Sequence, residues 1–234
     1  MLILGIDSSA TSASAALTDD GKLVAESFLN VGLTHSKTLM VLVDEVMKNG
    51  NKKIEDLDLI AVANGPGSFT GIRIGVALVK GLASAYDTPC IGLSTLEEIA
   101  YPFAFSDFTV VSCMDARCSQ VYTACFENGI RKTEDEALTI DELGERINSG
   151  EYGEKIILAG DGAKIAYDIL GDNEKIWLAP PQNRFQRASS LCFIAENYML
   201  NTDVTPKNAM FVNPVYLRKP QAERMKELNS NRKD

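Results

Sequence analysis

The stretch from residue 59 to residue 86 constrains the fold of this chain more than any other. Residues 59–63 form an apolar run typical of a buried strand, and residues 72–86 form a nearly uncharged run typical of a buried helix. A turn that reads GPGS from Gly65 joins the two. Glycine permits backbone angles closed to other residues, and the proline stiffens the turn. The pattern predicts a strand, a tight turn and a helix that is either core or an interface.

The turn itself has two interpretations. A glycine-rich turn before a helix directs free backbone N–H groups toward the space above the strand ends, so Gly65 and Gly67 are candidate phosphate-binding residues. No lysine follows them as a P-loop requires, and Thr70 stands where the dinucleotide fingerprint has its third glycine. The alternative is a close-packed structural turn. Gly71 and Gly75 favour it, because they lie about one helical turn apart and let another backbone approach.

The composition limits the function. The formal net charge is -9, which speaks against a chain that binds nucleic acid by itself. No run reaches the roughly 20 apolar residues of a membrane span, and Asp7 interrupts the first apolar run too early for a signal peptide. Five cysteines without a CxxC pair favour a reduced, cytoplasmic protein. The single histidine, His35, excludes two-histidine metal sites, and no metal site is predicted.

The predicted elements follow a repeated order. Strands and helices in the order βββαβαβα are expected within residues 1–105, and a less regular version of that order within residues 106–234. Two such halves in tandem are the topology of the actin, sugar-kinase and Hsp70 group. The sequence therefore predicts an α/β, actin-like ATPase fold of two lobes, which by itself does not establish an activity.

Three helices and the chain end complete this outline. Helices at 34–48 and 68–86 belong to the first lobe, and a helix at 188–200 either packs back on that lobe or stays with the second. The tail is charged: from Arg218 on, six Lys and Arg residues stand against three Asp and Glu residues. It is either a solvated chain end or a contact for tRNA or a protein partner.

The turns after the first strand of each lobe supply further candidates for nucleotide binding. In the actin-like group, the first hairpin of each half closes on nucleotide phosphates. Asp7, followed by Ser8 and Ser9, either anchors a metal-bound phosphate through water or caps its own turn. Asp161 lies between two glycines. It either faces the place where the second lobe would meet a nucleotide or belongs to a plain turn. The candidate nucleotide set is Asp7, Ser8, Ser9, Gly65, Gly67 and Asp161.

The helix at 34–48 has an unusually wide apolar face. Six side chains fill an arc of about 160° at 100° per residue: Leu39, Met40, Leu42, Val43, Val46 and Met47. His35 falls inside this arc, which favours a packed histidine over a metal ligand or a catalytic group. The arc is wider than one core needs, so the helix is predicted to meet another chain as well.

Four stretches together identify a family. They are GIDSS at 5–9, GPGSFTGIRIG at 65–75, DAR at 115–117 before Val121 and Tyr122, and NPVYLR at 213–218. With these motifs in order along its whole length, the sequence resembles the TsaB family, the non-catalytic partner in bacterial tRNA threonylcarbamoyladenosine (t6A) synthesis. His35 and Ser36 at the start of the first helix fit the same family.

The resemblance implies a role in a complex. Family members have the two-lobed actin-like fold and are similar to TsaD, the catalytic subunit, which carries two metal-binding histidines on a helix; here the matching kind of helix offers only His35. The family binds and stabilises TsaD through first-lobe helices, and the ATPase TsaE joins the complex. The complex transfers threonylcarbamoyl from threonylcarbamoyl-AMP to N6 of the tRNA adenosine next to the anticodon. Members alone form homodimers, and tRNA is reached only through the complex.

The expected partner interface lies on two helices, and a second function stays open beside it. The interface candidates are His35, Leu39, Val43, Val46, Gly71, Arg73, Gly75 and Val79. The alternative is a weak nucleotide-binding protein or ATPase, with ATP or ADP and Mg²⁺ bound by this chain or only by the complex. An older interpretation of the family as a glycoprotease lacks any complete site in this sequence.

Overall fold

The first lobe is built on a five-stranded sheet. The computed structural model describes residues 1–171 and 173–218, so the charged tail predicted from residue 219 lies outside the described residues. The elements are β1 (Leu2–Asp7), β2 (Ala13–Asp19), β3 (Lys22–Leu29), α1 (His35–Asn49), β4 (Leu59–Gly65), α2 (Phe69–Ala83), β5 (Cys90–Ser94) and α3 (Thr95–Ala100). The strand order is β3-β2-β1-β4-β5, with β1, β4 and β5 parallel and β2 antiparallel to its neighbours.

The second lobe repeats this plan less regularly. Its elements are β6 (Thr109–Arg117), β7 (Gln120–Glu127), β8 (Ile130–Arg131), β9 (Glu136–Thr139), α4 (Ile140–Asn148), β10 (Ile156–Ala159), α5 (Ala163–Leu170), β11 (Ile176–Leu178), α6 (Pro181–Arg184) and α7 (Ala188–Asn201). The order is β11-β10-β6-β7-β8, and β9 also pairs with β7. The third strand is divided into β8 and β9, both paired with β7, in keeping with the less regular order predicted for this half. The two mixed sheets confirm the predicted α/β fold of two lobes.

Two helices cover one face of the first sheet. Leu39, Leu42, Val43 and Val46 of α1 and Ile72, Val76 and Val79 of α2 pack into one core with β1 and β4. The hydroxyl of Ser68 accepts a hydrogen bond from the Gly71 N–H and caps α2. Fully burying one such aliphatic side chain contributes about 1.5–3 kcal/mol, so this layer fixes both helices on the sheet.

The opposite face of the first sheet is covered by α7, which comes from the second half of the sequence. Leu191, Cys192 and Ala195 are buried against Ile3 and Ala16 of the sheet. A Cβ added at Gly5 would collide with the carbonyl of Ala188, so a glycine is needed where this helix crosses β1. In the part of the chain that the structure describes, no helix is both long and apolar enough to cross a membrane.

Candidate functional site

A cleft opens between the two lobes at the ends of β1 and β4. It encloses about 320 Å³ and is lined by residues 9–11 and 67–70 of the first lobe, residues 114–117, Tyr122 and Asp161 of the second, and residues 215–218. Of the predicted nucleotide set, Ser9, Gly67 and Asp161 line this cavity, whereas Asp7, Ser8 and Gly65 do not. The structure therefore brings half of the predicted set together.

The GPGS turn packs tightly against the turn that follows β1. Gly65 and Gly67 have φ of 130° and 154°, and a Cβ added at Gly67 would collide with the carbonyl of Ser9. The Ser68 N–H donates to that same Ser9 carbonyl over 2.6 Å. The Ser9 N–H donates to Asp7 Oδ1 over 3.0 Å. Because both amides bond within the chain, the geometry favours the close-packed turn over a phosphate-binding loop.

Asp7 and Ser8 lie beneath the cleft rather than on its wall. Asp7 is fully buried, and desolvation raises the pKa of its carboxyl from 3.8 to about 6. No described residue bonds to its Oδ2. The Ser8 hydroxyl donates to the Gly71 carbonyl over 2.9 Å and so ties β1 to α2. Of the two roles considered for Asp7, capping its own turn is the one that the contacts support.

The second lobe contributes two carboxylates and an arginine to the cleft. Asp161 accepts a hydrogen bond from Gln186 Nε2 over 3.1 Å, and burial raises the pKa of its carboxyl to about 6. Asp115 accepts the Arg117 N–H over 2.7 Å and also pairs with the Arg117 guanidinium at 3.1 Å. An anion entering the cleft would meet these carboxylates as well as the arginine, so the site is electrostatically mixed.

A strap, residues 213–218, crosses the cleft and joins the two lobes; it is formed by the NPVYLR motif. The Val215 N–H donates to the Asn64 carbonyl over 2.7 Å in the first lobe. Arg218 Nη1 donates to the Ala116 carbonyl over 3.2 Å in the second. A Cβ added at Gly65 would collide with the Val215 carbonyl, so this glycine is needed where the strap passes. The strap therefore lies directly against Gly65, one of the two glycines considered as candidates for phosphate binding.

Two side chains of α2 also contact the strap and hold it in place. Tyr216 stacks on Phe69 with 4.6 Å between ring centroids, and the Arg73 guanidinium lies 3.7 Å from the Phe69 ring centroid. Arg73 Nε donates to the Tyr216 hydroxyl over 2.8 Å. This contact spans 143 positions in the sequence, which is why local patterns could not reveal it.

His35 holds the start of α1 against the turn after β1. Its Nε2 lies 2.7 Å from the Ala10 carbonyl, and the ring is partly buried. Among the residues that the structure describes, no group of three or more His, Cys, Asp or Glu side chains is placed to hold a metal ion. The contacts of this histidine fit the packed position within the apolar face.

Most of the predicted interface side chains belong to the core. Leu39, Val43, Val46 and Val79 are buried beneath α1 and α2, so none of them is available to a partner. Gly71 and Gly75 face Ser8, where added Cβ atoms would collide with its carbonyl and approach its hydroxyl. This corrects the expectation for these six residues, because the centre of the apolar arc faces the sheet. Arg73 is exposed, and His35 is partly exposed.

The exposed side of the same region carries other apolar residues. Val41 is 62% exposed and Met40 45% exposed on α1, and Val31 and Leu33 are exposed in the loop before it. Large apolar side chains gathered on one surface commonly mark a contact site. The candidate interface, called the α1 face below, therefore consists of Val31, Leu33, Met40 and Val41.

Comparison with known proteins agrees with this architecture. The family profile described as "TsaD: tRNA N6-adenosine threonylcarbamoyltransferase" matches residues 30–226. The TsaB protein of Bacillus subtilis is 31% identical over 95% of this chain and 96% of its own length. The TsaB protein of Escherichia coli is 32% identical over 93% and 95%, respectively. The solved structure of YeaZ from Pseudomonas aeruginosa superposes with a TM-score of 0.77 at 23% identity, covering 92% of this chain and 99% of that one.

The two sheets, the cleft between them and the matching profile define a protein of the actin-like ATPase fold with a threonylcarbamoyltransferase-type domain. Within that class, the whole-length relatives are more specific. The chain belongs to the TsaB family and takes part in tRNA threonylcarbamoyladenosine biosynthesis.

Proposed function

We propose that the chain is the non-catalytic scaffold subunit of a cytoplasmic t6A synthesis complex, where it binds and stabilises TsaD and where TsaE joins them. The observation that carries this proposal is the α1 face, which exposes four large apolar side chains beside a well-packed core. Covering such a surface with a partner removes apolar area from water, at about 25 cal/mol per Å². tRNA is then reached through the complex and not by this chain alone, in keeping with its net charge of -9.

A scaffold role also accounts for the cleft. Three groups in or near the cleft are engaged within the chain: His35 with the Ala10 carbonyl, the Ser8 hydroxyl with the Gly71 carbonyl, and Asp161 with Gln186. A general base must reach the proton that it abstracts, and Asp7 is fully buried. In this proposal the cleft is a structural junction, and the chemistry of the pathway belongs to the partner.

The match to the TsaD profile supports a partner of the same fold. Residues 30–226 match it, and this range includes both α1 and α2. Two chains that share these helices can pair through them about a two-fold or pseudo-two-fold axis. The same argument supports a homodimer in the absence of TsaD, with self-association and TsaD binding competing for the α1 face.

A charge placed on the α1 face tests the proposal. Val41→Asp puts a carboxylate on an exposed helical position, so the fold should remain while the affinity for TsaD falls at least tenfold. Ile169→Asp is the matched control, because Ile169 is 50% exposed on α5 of the other lobe. Biolayer interferometry with TsaD from the same genome gives both values. Equal affinity of Val41→Asp and wild type would remove the α1 face from the interface.

Nucleotide binding by this chain is the second candidate. The observation in its favour is the 320 Å³ cleft, which contains Arg117 and Arg218 and the aromatic rings of Phe69 and Tyr216. Isothermal titration with ATP and Mg²⁺ tests it, with Arg117→Ala as the variant because Arg117 is exposed and can be removed without unfolding the core. Binding that is lost in Arg117→Ala, together with unchanged TsaD binding, would favour this second function.

A further inference from the structure

A fully buried glutamate lies where the two lobes meet. Helix α3 contacts β4 of the first sheet, β6 and β7 of the second, and α7. Its Leu96 and Ile99 pack with Val110 and Met114 of β6 in one apolar cluster. Glu98 stands between these two residues in the sequence and has no exposed surface. A carboxyl group is therefore enclosed at a contact between the lobes, a position that apolar side chains usually fill.

The buried carboxyl of Asp7 approaches Glu98 from β1. Successive side chains of a strand point to opposite faces, so Asp7 lies on the same face of the first sheet as Ile3 and Gly5. This is the face that α7 covers, because Ile3 packs against α7 and a Cβ added at Gly5 would collide with the Ala188 carbonyl. Burial raises the pKa of Glu98 well above its usual value, and the negative charge of Asp7 raises it further. The two carboxyls are therefore close enough for the charge of one to oppose the ionisation of the other.

The described chain offers little to stabilise a negative charge on Glu98. Neither of its carboxyl oxygens makes a hydrogen bond of normal geometry to a described residue, and the same holds for Asp7 Oδ2. The backbone N–H of Arg187 favours the charged form of Glu98, but less than burial disfavours it. An isolated buried carboxylate is strongly disfavoured, and such a group takes up a proton instead.

The other titratable groups around the two carboxyls do not supply a positive charge to Glu98. They are His35 of α1, Glu26 of β3, Glu97 of α3, Asp161 before α5, Arg187, and Cys192 of α7. Arg187 Nη1 donates to Glu26 Oε2 over 3.2 Å. His35 Nε2 lies 2.7 Å from the Ala10 carbonyl. Both groups that can be cationic are therefore engaged with partners other than Glu98.

A proton fits this site better than a metal ion does. In the described part of the chain, no three His, Cys, Asp or Glu side chains are placed to hold a metal together. One proton converts Glu98 into a neutral acid and removes the charge that burial disfavours. It also removes the repulsion from Asp7, whose pKa is raised by burial to about 6, so that this second carboxyl can ionise near neutral pH.

We propose that Glu98 carries a proton at neutral pH and that opening of the lobe junction, where α3, the end of β1 and residues 186–189 meet, releases this proton to water. In the closed junction Glu98 is a neutral acid. In the open junction it is a hydrated carboxylate, and one proton has passed to the solvent. A higher pH therefore favours opening, and a lower pH favours closure. This coupling is a property of the chain itself and is independent of TsaD.

Infrared spectroscopy of the wild-type chain tests the protonation directly. Exposed glutamates are ionised at pH 7, and Glu98 is the one buried glutamate among the residues that the structure describes. We expect the C=O band of a protonated carboxylic acid at pH 7, which shifts when glutamate is labelled with ¹³C at Cδ and disappears in Glu98→Gln. Aspartate does not respond to this label. A spectrum without a label-sensitive acid band would overturn the proposal.

Hydrogen exchange tests the coupling to opening. An opening that releases one proton becomes about tenfold more favourable with each pH unit above the pKa of the exposed group. Relative to Glu98→Gln, protection factors of α3 and residues 186–190 in wild type should therefore fall about tenfold per unit between pH 5 and pH 7. Amides of α1 and α4 should show no such difference. Glu145→Gln is the matched control, because it makes the same substitution at an exposed side chain of α4.

Two results of the exchange experiment would overturn the coupling. Equal pH dependence at the junction in wild type and Glu98→Gln would show that opening does not release this proton. A fall of the same size in α1 and α4 would show that the proton acts on global unfolding and not on the junction. If Glu98→Gln does not fold, the comparison of the junction with α1 and α4 within the wild-type chain decides between the same outcomes.

Discussion

Replacing Asp7 by asparagine tests the energetic consequence of a carboxyl group placed beneath the cleft. Burial raises the pKa of Asp7 from 3.8 to about 6, so the folded protein binds this proton more tightly than the unfolded chain does. The site favours the neutral carboxyl over the carboxylate. The contribution of Asp7 to stability should therefore be most favourable at low pH and should fall as the pH rises through the interval between these two values.

The size of the effect follows from the shift. The difference between 3.8 and about 6 is roughly two units, and each unit is worth about 1.4 kcal/mol, so ionised Asp7 destabilises the fold by about 3 kcal/mol at pH 8. At pH 4 the group is largely protonated in the folded state, and less than about 1 kcal/mol remains. Asparagine does not titrate, and its amide oxygen can still accept the Ser9 N–H. Relative to wild type, Asp7→Asn should gain about 2–3 kcal/mol between pH 4 and pH 8.

Urea unfolding of wild type and Asp7→Asn at pH 4, 6 and 8 measures this change. The comparison at several pH values is required because the buried amide has its own desolvation cost, which is the same at every pH. Asp107→Asn is the control, since it makes the same substitution at an exposed side chain. A difference between Asp7→Asn and wild type that stays constant from pH 4 to pH 8 would refute the reasoning.

Three further predictions concern the cleft and the thiols. Gly67→Ala places a Cβ against the Ser9 carbonyl at a φ of 154°. It should lower the free energy of unfolding in urea by about 2 kcal/mol or more, and a loss below about 0.5 kcal/mol would contradict the close packing. Tyr216→Ala removes the contacts of this ring with Phe69 and Arg73, so hydrogen exchange should become faster at residues 213–218 while α7 stays unchanged. Exchange at residues 213–218 that is as slow as in wild type would show that these contacts are not needed to hold the strap. Cys118 is exposed and the other four cysteines are buried, so one thiol per folded chain should react quickly with a thiol reagent and five after unfolding; more than one fast thiol would contradict the burial.

The order of elements could be predicted because local signals and the fold agree. The apolar run and glycine turn that lead into α2 predicted β4 and α2 within a few residues of their observed bounds. In the second lobe, the sequence TIDE at 139–142 is that of a capping box, and the Thr139 side chain accepts the Glu142 N–H at the start of α4. Strong local propensity and apolar patterning decide such elements without reference to the rest of the chain.

The surface of α1 could not be predicted in the same way. An apolar arc reports which side chains avoid water, but it does not separate those facing the sheet from those facing a partner. Leu39 and Val43, at the centre of the arc, are buried, whereas Met40 at its edge is exposed. Val41 lies outside the arc and is the most exposed apolar residue of α1. The expectation placed the interface on the core side of the helix.

The cleft contains contacts that no local pattern encodes. The strap reaches the GPGS turn through Val215 and the second lobe through Arg218, and both contacts join residues more than a hundred positions apart. Glu98 is a similar case, because a charged residue in the short α3 is fully buried where the lobes meet. Its neighbours in sequence gave no sign of this. Tertiary packing alone decides which polar residues lose their contact with water.

The measurement that tests the central claim most directly is size-exclusion chromatography with light scattering, on the chain alone and mixed with TsaD from the same genome. The chain has a mass of 25.5 kDa, so a homodimer would show twice that value when it is alone. The scaffold account predicts that the mixture gives a new species whose mass includes both chains, and that Val41→Asp reduces the amount of it. A mixture that elutes as two separate, unchanged components would contradict the account and leave nucleotide binding in the cleft as the leading function.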